Sequence, residues 1–235
     1  MGVETGALIV VAAGTGERLG SSLHKALVPL GGEPLVMHCL RQLVPVGLLS
    51  QVVLVGHPDD REALAALVED LPRPVLLADG GARRQDSVEA GLAALGEHDD
   101  LVLVHDAARP FVPSTLVEPL LRRAAEAGAA VPALRVSDTV KEARPGTDDL
   151  CERTVPRERL RLVQTPQAFR RADLARLLDE ARRNGREVTD EAGLFEAAGL
   201  DVAFVEGSPL NFKVTTREDL EIAEAILARR AERNI

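Results

Sequence analysis

Short, unbroken apolar runs alternate with helix-patterned segments along most of this chain. ALIVV (7–11), QVVLVG (51–56), PVLLA (74–78), DLVLVHD (100–106), AAVPALRV (129–136) and DVAFVEG (201–207) read as strands. Between them, 34–46, 59–70, 84–95, 114–128, 171–185, a short stretch at 190–198 and a long one at 217–233 carry helical spacing. The ends of these helices are signposted. Pro34 suits a first turn, acids open 59–70, Ser114 is a candidate N-cap, and Gly128 a stop. Strands that lack polar alternation must be covered on both faces, and helices are the available cover.

The expected fold is therefore α/β: a Rossmann-like, doubly wound, mostly parallel sheet. The 235 residues suit one such domain over 1–235, and 46% apolar content supplies its core. Trp and Tyr are absent and Phe numbers five, so Leu, Val, Ala and Ile must fill that core. A net charge of −9 and the shortage of aromatic stacking platforms argue against a nucleic-acid partner. Cys39 and Cys151 share no C-x-x-C spacing and read as reduced structural thiols. No basic-then-apolar leader opens the chain, and no apolar run approaches the ~20 residues of a membrane span, so a cytoplasmic protein is expected.

One segment breaks the alternation. Residues 137–161 are polar and carry a Pro-Gly turn between two β-prone pieces, DTVKEA and CERTV. The pattern predicts a projecting hairpin arm. A two-stranded ribbon is marginal alone, so the arm is expected to pack on a second copy of the chain, making a homodimer.

Ligands of open α/β sheets bind beyond the carboxyl ends of the strands, at a topological switch point. That rule selects three loops, 12–33, 78–86 and 105–113. The first contains AAGTGERLG, a G-x-G-x-x-x-G spacing whose third glycine is one place late for a dinucleotide turn. Strand 51–56 ends on His57 and Pro58, without the acid that would hold an adenosine ribose. A nicotinamide-dependent dehydrogenase is disfavoured. Arg18 and Lys25 lie in the same polar loop, and two cations there fit a polyphosphate.

The full stretch AAGTGERLGSSLHKALVPLGGEPL resembles the signature of the 2-C-methyl-D-erythritol 4-phosphate cytidylyltransferases. DGGARRQDSVEAGL (79–92), VLVHDAARPFV (102–112), SDTVKE (137–142), RLVQTPQAF (161–169), VTDEAGLFEAAG (188–199) and NFKVTTREDLEIAEAIL (211–227) follow in that family's order and spacing. One departure is visible: His24-Lys25-Ala26 stands where the family usually has Pro-Lys-Gln. The resemblance implies CMP transfer from CTP to methylerythritol phosphate, with Mg²⁺ or another divalent cation held mainly by CTP phosphates and no dedicated side-chain metal site.

It also assigns residues. Arg18, Lys25 and Lys213 fall on the triphosphate and the transferring phosphorus. The backbone of Ala12, Ala13 and Gly14, with Gly16, lines the triphosphate. Gly80, Gly81, Ala82 and Ser87 face the cytosine, and Ser87 or Asp86 is open to a capping role as well. Asp106 and Arg109 fall on the ribose and sugar-phosphate region. Thr139, Thr189 and Arg157 contact the methylerythritol phosphate, Arg157 reaching a partner's site through the arm. Thr189 doubles as a candidate helix cap. His105 reads as a packed strand-end histidine, and the arginines of 122–123, 170–171 and 182–183 as solvated helix faces.

The chemistry accounts for what is missing. A phosphomonoester, with its second pKa near ~6, arrives already ionised. No general base is needed, and no Ser-His-Asp set is evident. Charge neutralisation and positioning are the demand. The same motifs could serve a ribitol 5-phosphate cytidylyltransferase. A non-catalytic nucleotide-binding regulatory module would not need Arg18, Lys25, Asp106 and Lys213 together.

Overall fold

The computed structural model describes residues 4–16, 19, 23–96, 99–147 and 149–233. From the amino end come β1 (Gly6–Val11), the two-residue strands β2 (Pro29–Leu30) and β3 (Glu33–Pro34), α1 (Leu35–Leu43), β4 (Leu49–Gly56) and α2 (Arg61–Val68). Next are β5 (Leu76–Asp79), α3 (Arg84–Ala94), β6 (Leu101–Asp106), α4 (Val117–Ala127) and β7 (Ala129–Arg135). The remainder holds β8 (Val140–Ala143), β9 (Cys151–Val155), β10 (Arg161–Val163), β11 (Gln167–Arg170), α5 (Arg171–Arg183), α6 (Ala192–Ala197), β12 (Val202–Glu206) and α7 (Arg217–Arg233).

The main sheet has eight strands. Its interior strand β1, third from one edge, pairs in parallel with β4 on one side and β6 on the other, and β5 extends the sheet beyond β4. The chain therefore builds outward through β4 and β5, then returns across α3 to the opposite side of β1. That reversal is the switch point. Segment 161–169, whose local structure the hydrophobic pattern leaves open, forms β10 and β11 with a cis Thr165–Pro166 peptide between them. β11 runs antiparallel between β6 and β7, and β10 continues along β7. β12 pairs in parallel with the other edge of β7.

Alternate residues of β1 serve opposite faces. Leu8 and Val10 join Leu54, Leu103 and the buried side of α1 and α4; Ile9 joins Val53, Val104, α3 and α5. Fully buried side chains of this kind each contribute about 1.5–3 kcal/mol. A smaller cluster seats α7 through Ala223 against Leu30, Leu35 and Phe111, and the Arg230 guanidinium lies 4.8 Å from the Phe111 ring centre. This docking fixes the segment before α7, which carries Lys213.

Two helix starts differ from expectation. Ser114 opens a 3-10 turn, Ser114–Leu116, without a side-chain cap bond, and α4 begins one turn later. Pro34 ends β3 at the N-cap of α1, with an extended ψ of 139°, one place before the first turn. Gly128 does stop α4, at φ 98°. The polar segment forms the expected ribbon: β8 and β9 pair antiparallel through Val140–Val155, Lys141–Thr154 and Glu142–Arg153. It is a sheet of its own, with mostly exposed side chains. No described helix is long and apolar enough to cross a membrane.

Candidate active site

A cavity of about 470 Å³ opens at the carboxyl ends of β1, β5 and β6. Its walls are Val11–Gly16, Lys25–Ala26, Gly81–Arg84, Ser87, Asp106–Ala108, Lys213 and Thr215. Of the residues expected at a site, Ala12, Ala13, Gly14, Gly16, Lys25, Gly81, Ala82, Ser87, Asp106 and Lys213 meet here. Arg18 lies outside the described residues. Gly80, Arg109, Thr139, Arg157 and Thr189 are not on this wall.

Local structure explains the glycines. Gly16 has φ 75°, and a Cβ there would come within 2.9 Å of Lys25 Cβ. Only glycine lets the two limbs of the loop pass so closely. Gly80 serves packing: a Cβ on it would lie 2.4 Å from Ala13 Cβ and 2.8 Å from Ser87 Oγ. The amides of Ala12 and Gly80 are also committed. Ala12 N donates to Val55 O at 2.8 Å and Gly80 N to Gly56 O at 2.7 Å. Both extend the sheet ladder, so these two amides are not available to a nucleotide, which corrects the expectation for them. Ser87 Oγ accepts from Gly81 N at 3.3 Å and so shapes the turn. Asp86, not Ser87, caps α3, accepting from Arg83 N at 3.0 Å.

A chain of alternating charges runs into the cavity. Lys213 Nζ lies 2.7 Å from Asp106 Oδ2. Arg84 Nε lies 3.1 Å from Asp106 Oδ1. On its far side Arg84 Nη1 donates to both oxygens of Glu191, at 2.6 and 2.5 Å. Glu191 is fully buried and Asp106 nearly so. Burial pushes the Asp106 carboxyl up, but Arg84, Lys213 and Arg109 together overcome it and hold it well below the usual carboxylate range. Burial raises Glu191, against the pull of Arg84. For Arg84, burial opposes the charge while Asp106 and Glu191 favour it, and the pair wins.

Arg84 and Glu191 are the residues that sequence reasoning missed. A signal existed. Arg83 and Arg84 open α3, where the helix dipole disfavours cations, so their presence there asks for acidic partners. Arg83 finds its partner in Asp86, three residues on, whereas the partners of Arg84 sit 22 and 107 residues away.

Behind the wall, hydrogen bonds continue from Asp106. Its N–H donates to Thr165 Oγ1 at 3.0 Å. Thr165 Oγ1 lies 3.1 Å from His105 Nδ1, and His105 Nε2 lies 3.3 Å from Arg109 O. A carbonyl only accepts, so His105 carries its proton on Nε2 and takes the threonine proton on Nδ1. Burial lowers its pKa to about 4 and keeps it neutral. His105 is thus the packed histidine expected. Arg109 Nη1 donates to Asn211 O at 2.8 Å, bracing the segment that carries Lys213.

Thr139, Arg157 and Thr189 are exposed. Arg157 Nη1 donates to the Ser137 carbonyl across the base of the arm. The capping alternative for Thr189 is not realised; Asp190 Oδ1 takes that place, accepting from Gly193 N at 3.2 Å. Arg171 also departs from expectation. It is half-buried and donates to the Leu92, Leu95 and Gly96 carbonyls at the end of α3, where a cation suits the dipole. Among the described residues, no group of three or more His, Cys, Asp or Glu gathers as a metal site.

Known proteins of similar sequence and fold point to one family. The model of the family "IspD: 2-C-methyl-D-erythritol 4-phosphate cytidylyltransferase" matches residues 7–229. A 2-C-methyl-D-erythritol 4-phosphate cytidylyltransferase of Geobacillus thermodenitrificans is 43% identical over 225 residues, 94% of this chain and 96% of the relative. One of Streptomyces coelicolor is 42% identical over 233 residues, 95% and 85% of the two chains. The crystal structure of the Thermus thermophilus cytidylyltransferase superposes with a TM-score of 0.77 at 37% identity, covering 95% of this chain and 99% of that one. That of the 4-diphosphocytidyl-2C-methyl-D-erythritol synthase from Anaerococcus prevotii reaches 0.85 at 28% identity, covering 97% and 100%. The chain belongs to the 2-C-methyl-D-erythritol 4-phosphate cytidylyltransferase family.

Proposed function

We infer that this enzyme, a nucleotidyltransferase, moves CMP from CTP to 2-C-methyl-D-erythritol 4-phosphate and releases pyrophosphate. The observation that supports the mechanism best is the meeting of Lys25 and Lys213, from opposite ends of the chain, on one cavity wall. The substrate phosphate attacks the α-phosphorus of CTP, forming a P–O bond as the bond to pyrophosphate breaks. The attacking oxygen is already ionised at pH 7, because the second phosphate pKa is near ~6. No side chain removes a proton. Lys25, Lys213 and Arg18 offset the charge that builds on the transferring phosphate.

The loop 13–16 gives the triphosphate a close backbone approach, and Gly81, Ala82 and Ser87 face the cytosine. Arg84 and Lys213 hold Asp106 toward the ribose. Among the described residues, Asp106 is the single carboxylate on the cavity wall. That donor set fits a divalent ion carried mainly by nucleotide phosphates, with Asp106 adding one oxygen. Such an ion, Mg²⁺ among the candidates, supplies charge neutralisation of the triphosphate when bound. The arm of a second subunit brings Arg157 and Thr139 toward the methylerythritol phosphate, Thr189 approaching from the main body. Cys39 and Cys151 are free thiols, which suits a cytoplasmic setting.

Pyrophosphate release with CTP, Mg²⁺ and methylerythritol phosphate tests the reading. Activity with ribitol 5-phosphate and silence with methylerythritol phosphate would transfer the assignment to the related polyol. Lys25→Ala is expected to lower kcat roughly 10²–10³-fold while CTP affinity falls far less. Equal losses in both would reduce Lys25 to a binding group.

A further inference from the structure

We propose that His24 is a positioning residue for Lys25, tying the glycine loop to Asp60 at the carboxyl end of β4. The inference rests on the reading of Lys25 as a cation acting on the transferring phosphate. His24 precedes the 3-10 turn Lys25–Leu27 and makes no side-chain cap bond to it. Its side chain instead reaches another element: Nδ1 lies 2.8 Å from Asp60 Oδ2. An ionised carboxylate only accepts, so Nδ1 carries the proton and donates. The contact is sheltered, with side-chain exposures of 25% and 13%.

A second contact orients the ring. His24 stacks on His57, centroids 4.0 Å apart and planes 29° from parallel. His57 is itself fixed, its Nδ1 accepting from Asp59 N at 3.2 Å at the start of the turn Pro58–Asp60. Because that nitrogen accepts a backbone proton, it is unprotonated, and His57 carries its hydrogen on Nε2.

Lys25 is held from the other side as well. Its N–H donates to Gly14 O at 3.2 Å, and Gly16 lies directly beneath its Cα and Cβ. The backbone of Lys25 thus sits between two anchors, the glycine turn after β1 and the His24–Asp60 bond after β4. Neither His24 nor Asp60 lines the cavity. Loss of the second anchor removes one of the contacts that fix the Lys25 backbone and lets this limb of the loop shift relative to the reacting phosphate. Misplacement of a catalytic group by about 1 Å costs up to about 10²-fold in rate.

The test is a mutant cycle with pyrophosphate release as one readout and Mg²⁺·CTP titration as another. His24→Ala is expected to lower kcat by about tenfold or more, with CTP affinity almost unchanged. Asp60→Ala should reproduce that loss, and the double variant should lose no more than either single one. His24→Asn, which places an amide N–H near the former Nδ1, should recover most of the rate. In a Lys25→Ala background, His24→Ala should have no further effect. An undiminished kcat in both His24→Ala and Asp60→Ala overturns the proposal, as does a loss of the same factor when Lys25 is already gone. Full activity of Lys25→Ala alone would instead overturn the reading of Lys25. If His24→Ala fails to fold by circular dichroism, Asp60→Ala and His24→Asn decide the matter.

Discussion

Asp106 and Glu191 share one arginine yet answer acid in opposite directions. The folded protein holds Asp106 below its ordinary value of 3.8 because Arg84 and Lys213 outweigh burial. Its ionised form therefore stabilises the fold at every pH above that ordinary value. The contribution is lost as pH falls toward the folded-state pKa. Glu191 is raised above its ordinary 4.5, burial being the main cause. Its contribution is greatest below 4.5 and is lost as pH rises through the folded-state pKa. Asp106→Asn removes one charge of a part-buried network in which Arg84 keeps Glu191, which costs about 1–3 kcal/mol. Thermal melting should show that deficit undiminished from pH 7 to 5 and shrinking below about pH 4. A deficit unchanged in acid would mean that the carboxylate charge is not what matters. Lys25 and Lys213 announce themselves in sequence as cations beside a glycine loop and a strand end. Arg84 announces only a misplaced charge; Glu191 looks like any acid in a helix start.

Elements were the most legible level. Apolar period and end signals located each helix and strand of the α/β alternation to within a few residues. The exceptions share a cause. Ser114, Thr189 and Pro34 are local signals displaced by stronger local competitors: Pro113 and a 3-10 turn, the adjacent Asp190 side chain, and the small β2–β3 ladder. Segment 161–169 lacked a strong period, and its strands exist because β6 and β7 leave a gap that β11 fills. The join between β5 and the β1 loop shows how tightly elements are set. Gly80→Ala would drive a methyl into Ala13 and Ser87, since the clearance is 2.4–2.8 Å. Overpacking of this kind costs about 1–3 kcal/mol. A lower melting temperature and a weaker CTP titration are expected together. A variant that melts lower but binds CTP normally would show that the junction does not shape the cavity.

For the whole molecule, the proposed sharing of the site between two subunits is directly testable. The β8–β9 ribbon is a separate sheet, Arg157 at its base is exposed, and ribbons of this size are marginal alone. If the arm completes a neighbour's site, Arg157→Ala and Lys213→Ala chains, each inactive, should complement. Equal mixing after unfolding and reassembly gives half mixed dimers, each with one intact site, hence about a quarter of full activity. No recovery would confine each site to its own chain. What the order of residues dictated is everything that depends on near neighbours: apolar period, turns, the three loops at strand ends, and two cations in one of them. Those properties arise within a few residues, where backbone geometry is the whole constraint. What folding alone settled is which distant groups meet. Arg84 with Glu191, Lys213 with Asp106 and His24 with Asp60 lie 107, 107 and 36 residues apart. Pairing at such separations depends on sheet order and burial, and no local pattern encodes it.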